Sequence, residues 1–154
     1  MPLHASLPPN ACNIRRVQDI ATAAFSDKKY AEAGDKYAAC EQQCTWVLAN
    51  GAVDSATAEE IQRQLSLCKL NRSLCLQRSN EFDEAYTCAS HVVNDGVSTP
   101  TIKCKAAIRV GQCLVSLAAA DGNDSSKQHL LAKAQAAADR AATLAAELEC
   151  GARS

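Results

Sequence analysis

Apolar residues recur along most of this chain at intervals of three and four, the spacing that places side chains on one face of an α-helix. The first such stripe follows Asn13, a residue suited to cap a helix, and a polar turn at 26–29 separates it from the second. Two helices so closely connected predict an antiparallel hairpin. Their stripes are Ile14, Val17, Ile20, Ala21, Ala24 and Phe25, then Tyr30, Ala33, Tyr37, Cys40, Cys44 and Val47.

Four further stripes continue the pattern, each bounded by residues that begin or end helices. The predicted starts are the capping box Thr57–Glu60, Asn80, the pair Thr99-Pro100 and the capping box Ser125–Gln128. The predicted stops are Asn50-Gly51, Asn94-Asp95-Gly96 and Asp121-Gly122. The stripes of the last two helices include Ile102, Ala106, Ile108, Val110, Leu114 and Leu117, then Leu130, Leu131, Ala134, Ala138, Ala141, Leu144 and Leu148.

The chain is therefore expected to be all-α, with six helices in three pairs. The pairs occupy about 13–50, 57–96 and 99–149, within one domain at 13–149, and we expect 1–12 to be a flexible tail and 150–154 a second tail. Composition agrees with this expectation, because the aromatic residues that strands favour make up only 4% of the chain.

Charge excludes some kinds of partner. The formal net charge is −1, so no overall basic field attracts a nucleic acid backbone or an anionic membrane. Charged or amide residues interrupt every apolar stripe, so no segment is expected to cross a bilayer.

Nine cysteines in 154 residues raise the question of a disulfide framework. The count is odd, and the first residues lack the basic and apolar regions of a secretory signal, so we expect reduced thiols in a cytoplasmic protein. Six of them stand where a helix needs a small apolar residue: Cys40, Cys68, Cys75, Cys88, Cys104 and Cys113. Cys40 and Cys44 could together offer two thiolates to zinc, but no second close pair supplies the remaining ligands.

Catalytic chemistry finds little support. The three histidines, His4, His91 and His129, are scattered over a tail and two helices, and neither phosphate-binding fingerprint occurs. We therefore expect a protein that is not an enzyme and that has no cofactor and no metal ion.

Small and aromatic residues repeat between the helix pairs. Ala33, Tyr37 and Cys40 in the first pair match Ala85, Ala89 and Val92 in the second at the same intervals. On this register, three sets of residues occupy the small and aromatic positions of tetratricopeptide repeats. They are Ala21, Phe25 and Tyr30, then Ser73, Leu76 and Phe82, then Gly111 and Leu114. From about 14 to 149, the chain resembles a three-repeat tetratricopeptide domain.

The resemblance implies a right-handed α-solenoid of three stacked hairpins, whose first helices line a concave groove. The sequence distance between the first two repeats is greater than the length of one tetratricopeptide repeat. The stretch from Thr45 to Gln64 is similar to the lengthened helices and connector of immunophilin-type co-chaperones.

Co-chaperones of this family bind the acidic Glu-Glu-Val-Asp tail of heat-shock chaperones through cations and amides that grip two carboxylates. Asn71, Lys105 and Arg109 match the asparagine, lysine and arginine of the second and third repeats. In the first repeat, Gln18 and Thr22 stand where clamp-bearing relatives have lysine and asparagine. The resemblance thus implies a groove formed by these five residues and a clamp that is incomplete.

Three hypotheses follow for the function. The chain is a co-chaperone-like adaptor whose groove binds a peptide, either a chaperone tail or another segment, with Arg15 or Arg16 as a candidate replacement cation. Alternatively, it is a scaffold or assembly subunit that packs through its helices and could form a homo-oligomer. The fold is also compatible with an organelle-import receptor, although no membrane anchor is evident.

Overall fold

A computed structural model describes residues 9–152 of the protein, with side chains from 13 to 151. Within 9–152 the chain forms six α-helices and no strand, which confirms the all-α class and the number of helices. The helices are α1 (Pro9–Ser26), α2 (Tyr30–Asn50), α3 (Ser55–Arg78), α4 (Phe82–Asn94), α5 (Pro100–Ala120) and α6 (Asp124–Ala152).

Several boundaries lie where local chemistry predicts them. The α2 helix ends at Asn50, before Gly51, and α4 ends at Asn94. The side-chain oxygen of Thr99 accepts the backbone N–H of Ile102 at 3.4 Å, and Pro100 occupies the first turn of α5, where a proline leaves no backbone donor unpaired.

The first helix begins earlier than the predicted cap at Asn13. It starts at Pro9, because proline already has a helical φ and lacks the N–H that would be unpaired in a first turn. The predicted tail thus overlaps the helix at 9–12, and its residues 1–8 lie outside the described residues. At the other end, α6 continues beyond the predicted boundary at 149 to Ala152.

Two predicted capping boxes are wrong. The N-cap of α3 is Asp54, whose carboxylate accepts the N–H of Thr57 at 2.7 Å, while Glu60 instead pairs with Arg63 and is not available to reach back. Before α6, the side chain of Asn123 accepts the N–H groups that begin the helix.

The predicted cap of α4 is also wrong. Asn80 lies one residue too early and has a φ of 63°, in the left-handed region that asparagine tolerates better than most residues. Glu81 immediately precedes the helix and makes no side-chain cap hydrogen bond. Asn80 therefore reverses the chain between α3 and α4.

Each described helix packs against the next one in the chain, and α3 also contacts α1 and α5. Side chains also link α4 to α6, since Arg140 of α6 donates to the Val93 carbonyl and to Asn94 Oδ1, both at 3.2 Å. Because α3 contacts both α1 and α5, these three helices lie side by side, and we call them the inner row. The predicted site residues all lie on this row.

Small residues and cysteines make up much of the core. Ala21, Ala33, Cys40, Cys68 and Cys75 form one buried cluster between α1, α2 and α3. Two more clusters lie on either side of it, one around Val47 and Ile61 and one around Val92 and Ile102. Of the six cysteines predicted to replace small apolar residues, Cys40, Cys68, Cys75 and Cys113 are buried, whereas Cys88 and Cys104 are half-buried.

Four residues assigned to the apolar stripes are instead exposed: Ile20, Ile108, Leu131 and Ala138. Ile108 illustrates the reason. It lies two residues beyond the buried Ala106, about 200° around the helix, so it faces away from the core.

Every helix within residues 9–152 is too short or too polar to cross a membrane.

Candidate functional site

The five predicted site residues lie on the inner row but differ in how far they are free to bind a ligand. Gln18 and Thr22 are on α1, Asn71 is on α3, and Lys105 and Arg109 are on α5. Their hydrogen bonds decide which side chains remain available.

The two α1 residues are engaged within the protein. The Gln18 amide donates to Gln64 Oε1 at 2.8 Å and to Cys68 Sγ at 3.2 Å. The Thr22 hydroxyl donates to the Gln18 carbonyl at 2.9 Å and lies 3.1 Å from the Tyr37 hydroxyl. At these two positions, α1 therefore has no free cation or amide that could bind a carboxylate of a ligand.

A cavity of about 240 Å³ lies between α1 and the first half of α3. It is lined by Arg15 and Gln18 together with the carboxylate residues Asp19 and Glu60. Arg15, the candidate replacement cation, thus shares its surroundings with two carboxylates. This part of the row is unfavourable for an anionic ligand.

Arg109 bridges α5 and α3. Its guanidinium donates to the Leu70 carbonyl at 2.8 Å, whereas its buried Nε has no hydrogen-bond partner. Loss of water around the charge lowers the pKa of Arg109, and nearby Arg78 lowers it further. A half-buried cation that lacks a carboxylate partner would be stabilised by one.

Lys105 and Asn71 remain available. The Lys105 side chain is exposed and Asn71 is half-buried, and neither side chain has a hydrogen bond or ion pair with the described residues. Lys105 lies one helical turn before Arg109, so both project from neighbouring positions of α5. Of the predicted clamp, the α3 and α5 members are thus the ones that could contact a ligand.

Arg78 is a further cation near these residues and was not among the predicted site residues. It lies with Arg109 in a cleft of about 650 Å³ whose other lining residues are Leu74, Gln77, Asn80, Phe82 and Gln112. No acidic residue lines this cleft, so the two positive charges face no opposite charge there. Arg78 sits in the last turn of α3, and only the packing of α3 against α5 brings it close to Arg109.

An apolar groove adjoins the cleft and shares Gln77 and Gln112 with it. The groove lies between α5 and α6, has a volume of about 870 Å³ and contains three large exposed side chains. These are Ile108, Val115 and Leu131, which are 48%, 51% and 42% exposed. Gly111 lies at its base, where a Cβ would be 3.6 Å from the Ala134 carbonyl oxygen, so α5 and α6 approach closely there.

Among the side chains at 13–151, no group of three or more histidine, cysteine, aspartate or glutamate residues is arranged to hold a metal ion. No protein-family model matches the chain, and no curated protein sequence is significantly similar to it.

Proposed function

We propose that the protein is a cytoplasmic, non-enzymatic protein-interaction module, a right-handed solenoid of three tetratricopeptide-like hairpins. In this proposal the inner row forms a groove that binds a peptide from another protein. The contacts of α3 with both α1 and α5 support it, since stacked hairpins place their first helices side by side in this way.

The ligand class that we propose is an acidic carboxyl-terminal tail of the kind carried by heat-shock chaperones. The observation that carries this proposal is that Arg78 and Arg109 share a cleft without any acidic lining residue. The exposed Lys105 lies one helical turn before Arg109. A terminal carboxylate and an aspartate side chain would supply the missing negative charge.

The adjoining apolar groove favours the same class of ligand. A valine next to the terminal aspartate requires an apolar surface beside the cations, and Ile108 and Val115 provide one on the same helix as Lys105. With Gln18 and Thr22 engaged internally, we expect the ligand to bind mainly at the α3–α5 half of the row.

The test is a calorimetric titration of the protein with the peptide Glu-Glu-Val-Asp as a free acid and with its carboxyl terminus amidated. We expect the free acid to bind at least about tenfold more tightly, because a charge-assisted hydrogen bond contributes on the order of 2 kcal/mol. Equal affinities, or no binding of either peptide, would refute the chaperone-tail proposal.

A matched pair of lysine variants locates the site. We expect Lys105→Ala to weaken binding of the free acid by roughly tenfold, since it removes an exposed cation near the cleft. Lys36→Ala removes the same charge from an exposed position on α2, outside the inner row, and should leave the affinity unchanged. Equal effects of the two substitutions would indicate nonspecific attraction instead of a site.

A second candidate function is that of a scaffold or assembly subunit that packs through its helices and does not bind chaperone tails. The observation that favours it is the apolar groove between α5 and α6, because three large apolar side chains grouped in one groove are typical of an interface. A homo-oligomer is one form of this alternative.

A further inference from the structure

Three fully buried cysteines meet where α2 packs against α3. Cys40 and Cys44 lie one helical turn apart on α2, and Cys68 lies opposite them on α3. The Cys40 thiol donates to the Ile14 carbonyl at 3.7 Å, and Cys40 and Cys68 lie in the same buried cluster. The peptide-binding proposal makes no use of this cluster.

A chain of side-chain hydrogen bonds determines which group faces Cys68. Arg63 donates to both carboxylate oxygens of Glu60, at 2.8 and 3.0 Å, so Glu60 can only accept. Gln64 therefore turns its amide nitrogen to Glu60, at 2.6 Å, and its oxygen to Gln18. Gln18 must then present its own amide nitrogen, which lies 2.8 Å from the Gln64 oxygen and 3.2 Å from Cys68 Sγ. Cys68 thus accepts an N–H.

These donors separate Cys68 from the other buried cysteines. Hydrogen bonds from Cys40 and Cys44 lower the pKa of Cys68, with a further contribution from Gln18, although burial opposes them. The pKa values of Cys40 and Cys44 are raised, first by the same hydrogen bonds and then by burial. On the same helix, burial raises the pKa of Cys75 to about 11. Cys68 accepts an N–H from Gln18, whereas Cys40 donates its own proton to the Ile14 carbonyl, so Cys68 is the sulfur of this pair that is placed to act as a nucleophile.

A cavity lies beside this sulfur, separated from it by the Gln18 side chain. Gln18 and Gln64 line the cavity of about 240 Å³ between α1 and α3, and Gln18 also contacts Cys68. The cavity is several times larger than the volume of a water molecule, about 30 Å³ in the liquid, so a hydroperoxide fits. Rotation of the Gln18 side chain would expose Cys68 to it.

We propose that Cys68 is a site of oxidation by hydrogen peroxide, and that it then forms a disulfide with Cys40 or Cys44 that joins α2 to α3. The Cys68 thiolate attacks one peroxide oxygen, the O–O bond breaks, and the departing hydroxide takes a proton from solvent to become water. The product is a sulfenic acid. The Cys40 or Cys44 sulfur then attacks Cys68 Sγ, the S–O bond breaks, and the leaving hydroxide takes the thiol proton as a second water. Two thiols lose two electrons, and one peroxide gains them.

The test is peptide mapping of the full chain, carrying Cys150→Ser to remove an exposed thiol, after treatment with hydrogen peroxide and alkylation. Trypsin cleaves after Lys36, Arg63, Lys69, Arg72 and Arg78, which places the partners in peptide 37–63, Cys68 in 64–69 and Cys75 in 73–78. We expect 64–69 to become linked to 37–63 while Cys75 remains reduced. A further cleavage after Glu41 distinguishes Cys40 from Cys44.

Gln18→Leu tests the role of the amide, because leucine keeps much of the volume and removes the donor. We expect it to slow the formation of the linked peptide by roughly tenfold, whereas Cys75→Ser should not change the rate. The proposal is overturned if the 64–69 peptide of the wild-type protein stays reduced or is oxidised no faster than 73–78. Oxidation of Gln18→Leu at the wild-type rate would equally contradict it. None of these results depends on what the groove binds.

Discussion

At the residue scale, Arg109 and Lys105 lie one helical turn apart on α5 in very different surroundings. Lys105 is exposed, whereas Arg109 has lost much of its water and has only the Leu70 carbonyl as a hydrogen-bond partner. That carbonyl lies in the interior of α3, where the helix provides its own backbone donor. The hydrogen bond of Arg109 is thus expected to add little to the stability of the fold, which agrees with the proposed role of Arg109 in binding.

The substitution Arg109→Met tests how much the arginine contributes to the stability of the fold. We expect the free energy of unfolding to change by no more than about 1 kcal/mol, because an apolar side chain of similar length avoids the desolvation of the guanidinium. Urea denaturation monitored by circular dichroism measures it. A loss of several kcal/mol would show instead that Arg109 is structural.

Arg72→Met is the matched control, because Arg72 does have a buried partner. It donates to Glu41 at 3.0 Å, and the Glu41 side chain is only 13% exposed. Burial raises the pKa of Glu41 and Arg72 opposes that shift, so removal of the arginine leaves a buried carboxylate unpaired. We expect a loss of about 2 kcal/mol in the same measurement, because Arg72 is itself partly exposed.

At the scale of the elements, the loop between α4 and α5 is tied to α3 by a small polar network. The Ser98 hydroxyl lies 2.6 Å from Asp95 Oδ2 and 2.7 Å from the hydroxyl of Ser66, which is buried in α3. The backbone N–H groups of Val97 and Ser98 also donate to Asp95. The network holds the start of α5 against α3, and so helps to position Lys105 and Arg109.

The network predicts a pH dependence of stability. Burial raises the pKa of Asp95, but the hydrogen bonds from Ser98 and Val97 lower it by more, so that it lies below its ordinary value. A carboxylate with a lowered folded-state pKa stabilises the protein above the unfolded pKa of about 3.9, and that contribution is lost as pH falls through the folded-state pKa. Asp95→Asn should therefore cost about 1 kcal/mol at neutral pH, and the difference from wild type should shrink below about pH 4.

Denaturation curves between neutral and acidic pH measure this difference. Ser98→Ala removes one donor from the same carboxylate, so we expect it to lose part of the same pH-dependent contribution. A difference between wild type and Asp95→Asn that stays constant with pH would show that the charge of Asp95 does not stabilise the loop.

At the scale of the whole molecule, the last helix leaves an apolar surface uncovered. Among the described helices, α6 packs mainly against α5, and the groove between them exposes Ile108, Val115 and Leu131. In the peptide-binding proposal, a ligand covers part of this groove. In the scaffold alternative, another protein chain covers it.

The homo-oligomer version of the scaffold alternative predicts a concentration-dependent increase in mass, measured by light scattering. Val115→Glu should abolish the increase, because it places a charge in the middle of the apolar groove. Trp46→Glu, at an α2 side chain that is 55% exposed and outside the groove, should have no effect. A wild-type mass that stays that of a monomer at every concentration excludes this version.

Much of the helical architecture was predictable because it depends on local chemistry. The three-and-four spacing predicted six helices, and Gly51 and Pro100 marked boundaries correctly, because glycine and proline act on the backbone wherever they occur. The capping boxes at Thr57 and Ser125 were wrong, since Asp54 and Asn123 cap the helices a few residues earlier, so that Thr57 and Ser125 already lie inside the first turn.

The sequence by itself determined which residues share a helix face and, with them, four of the buried cysteines: Cys40, Cys68, Cys75 and Cys113. Only the tertiary structure decided which groups the side chains of each helix face contact. Arg109 reaches a carbonyl 39 residues away, and the Gln18 amide reaches a sulfur 50 residues away. Helical periodicity orders neighbours within a helix, whereas the partner of a side chain depends on how separate helices pack. The five predicted groove residues lie on helices of the inner row. Packing determined that Lys105 and Asn71 remain free while Gln18 and Thr22 are engaged within the protein.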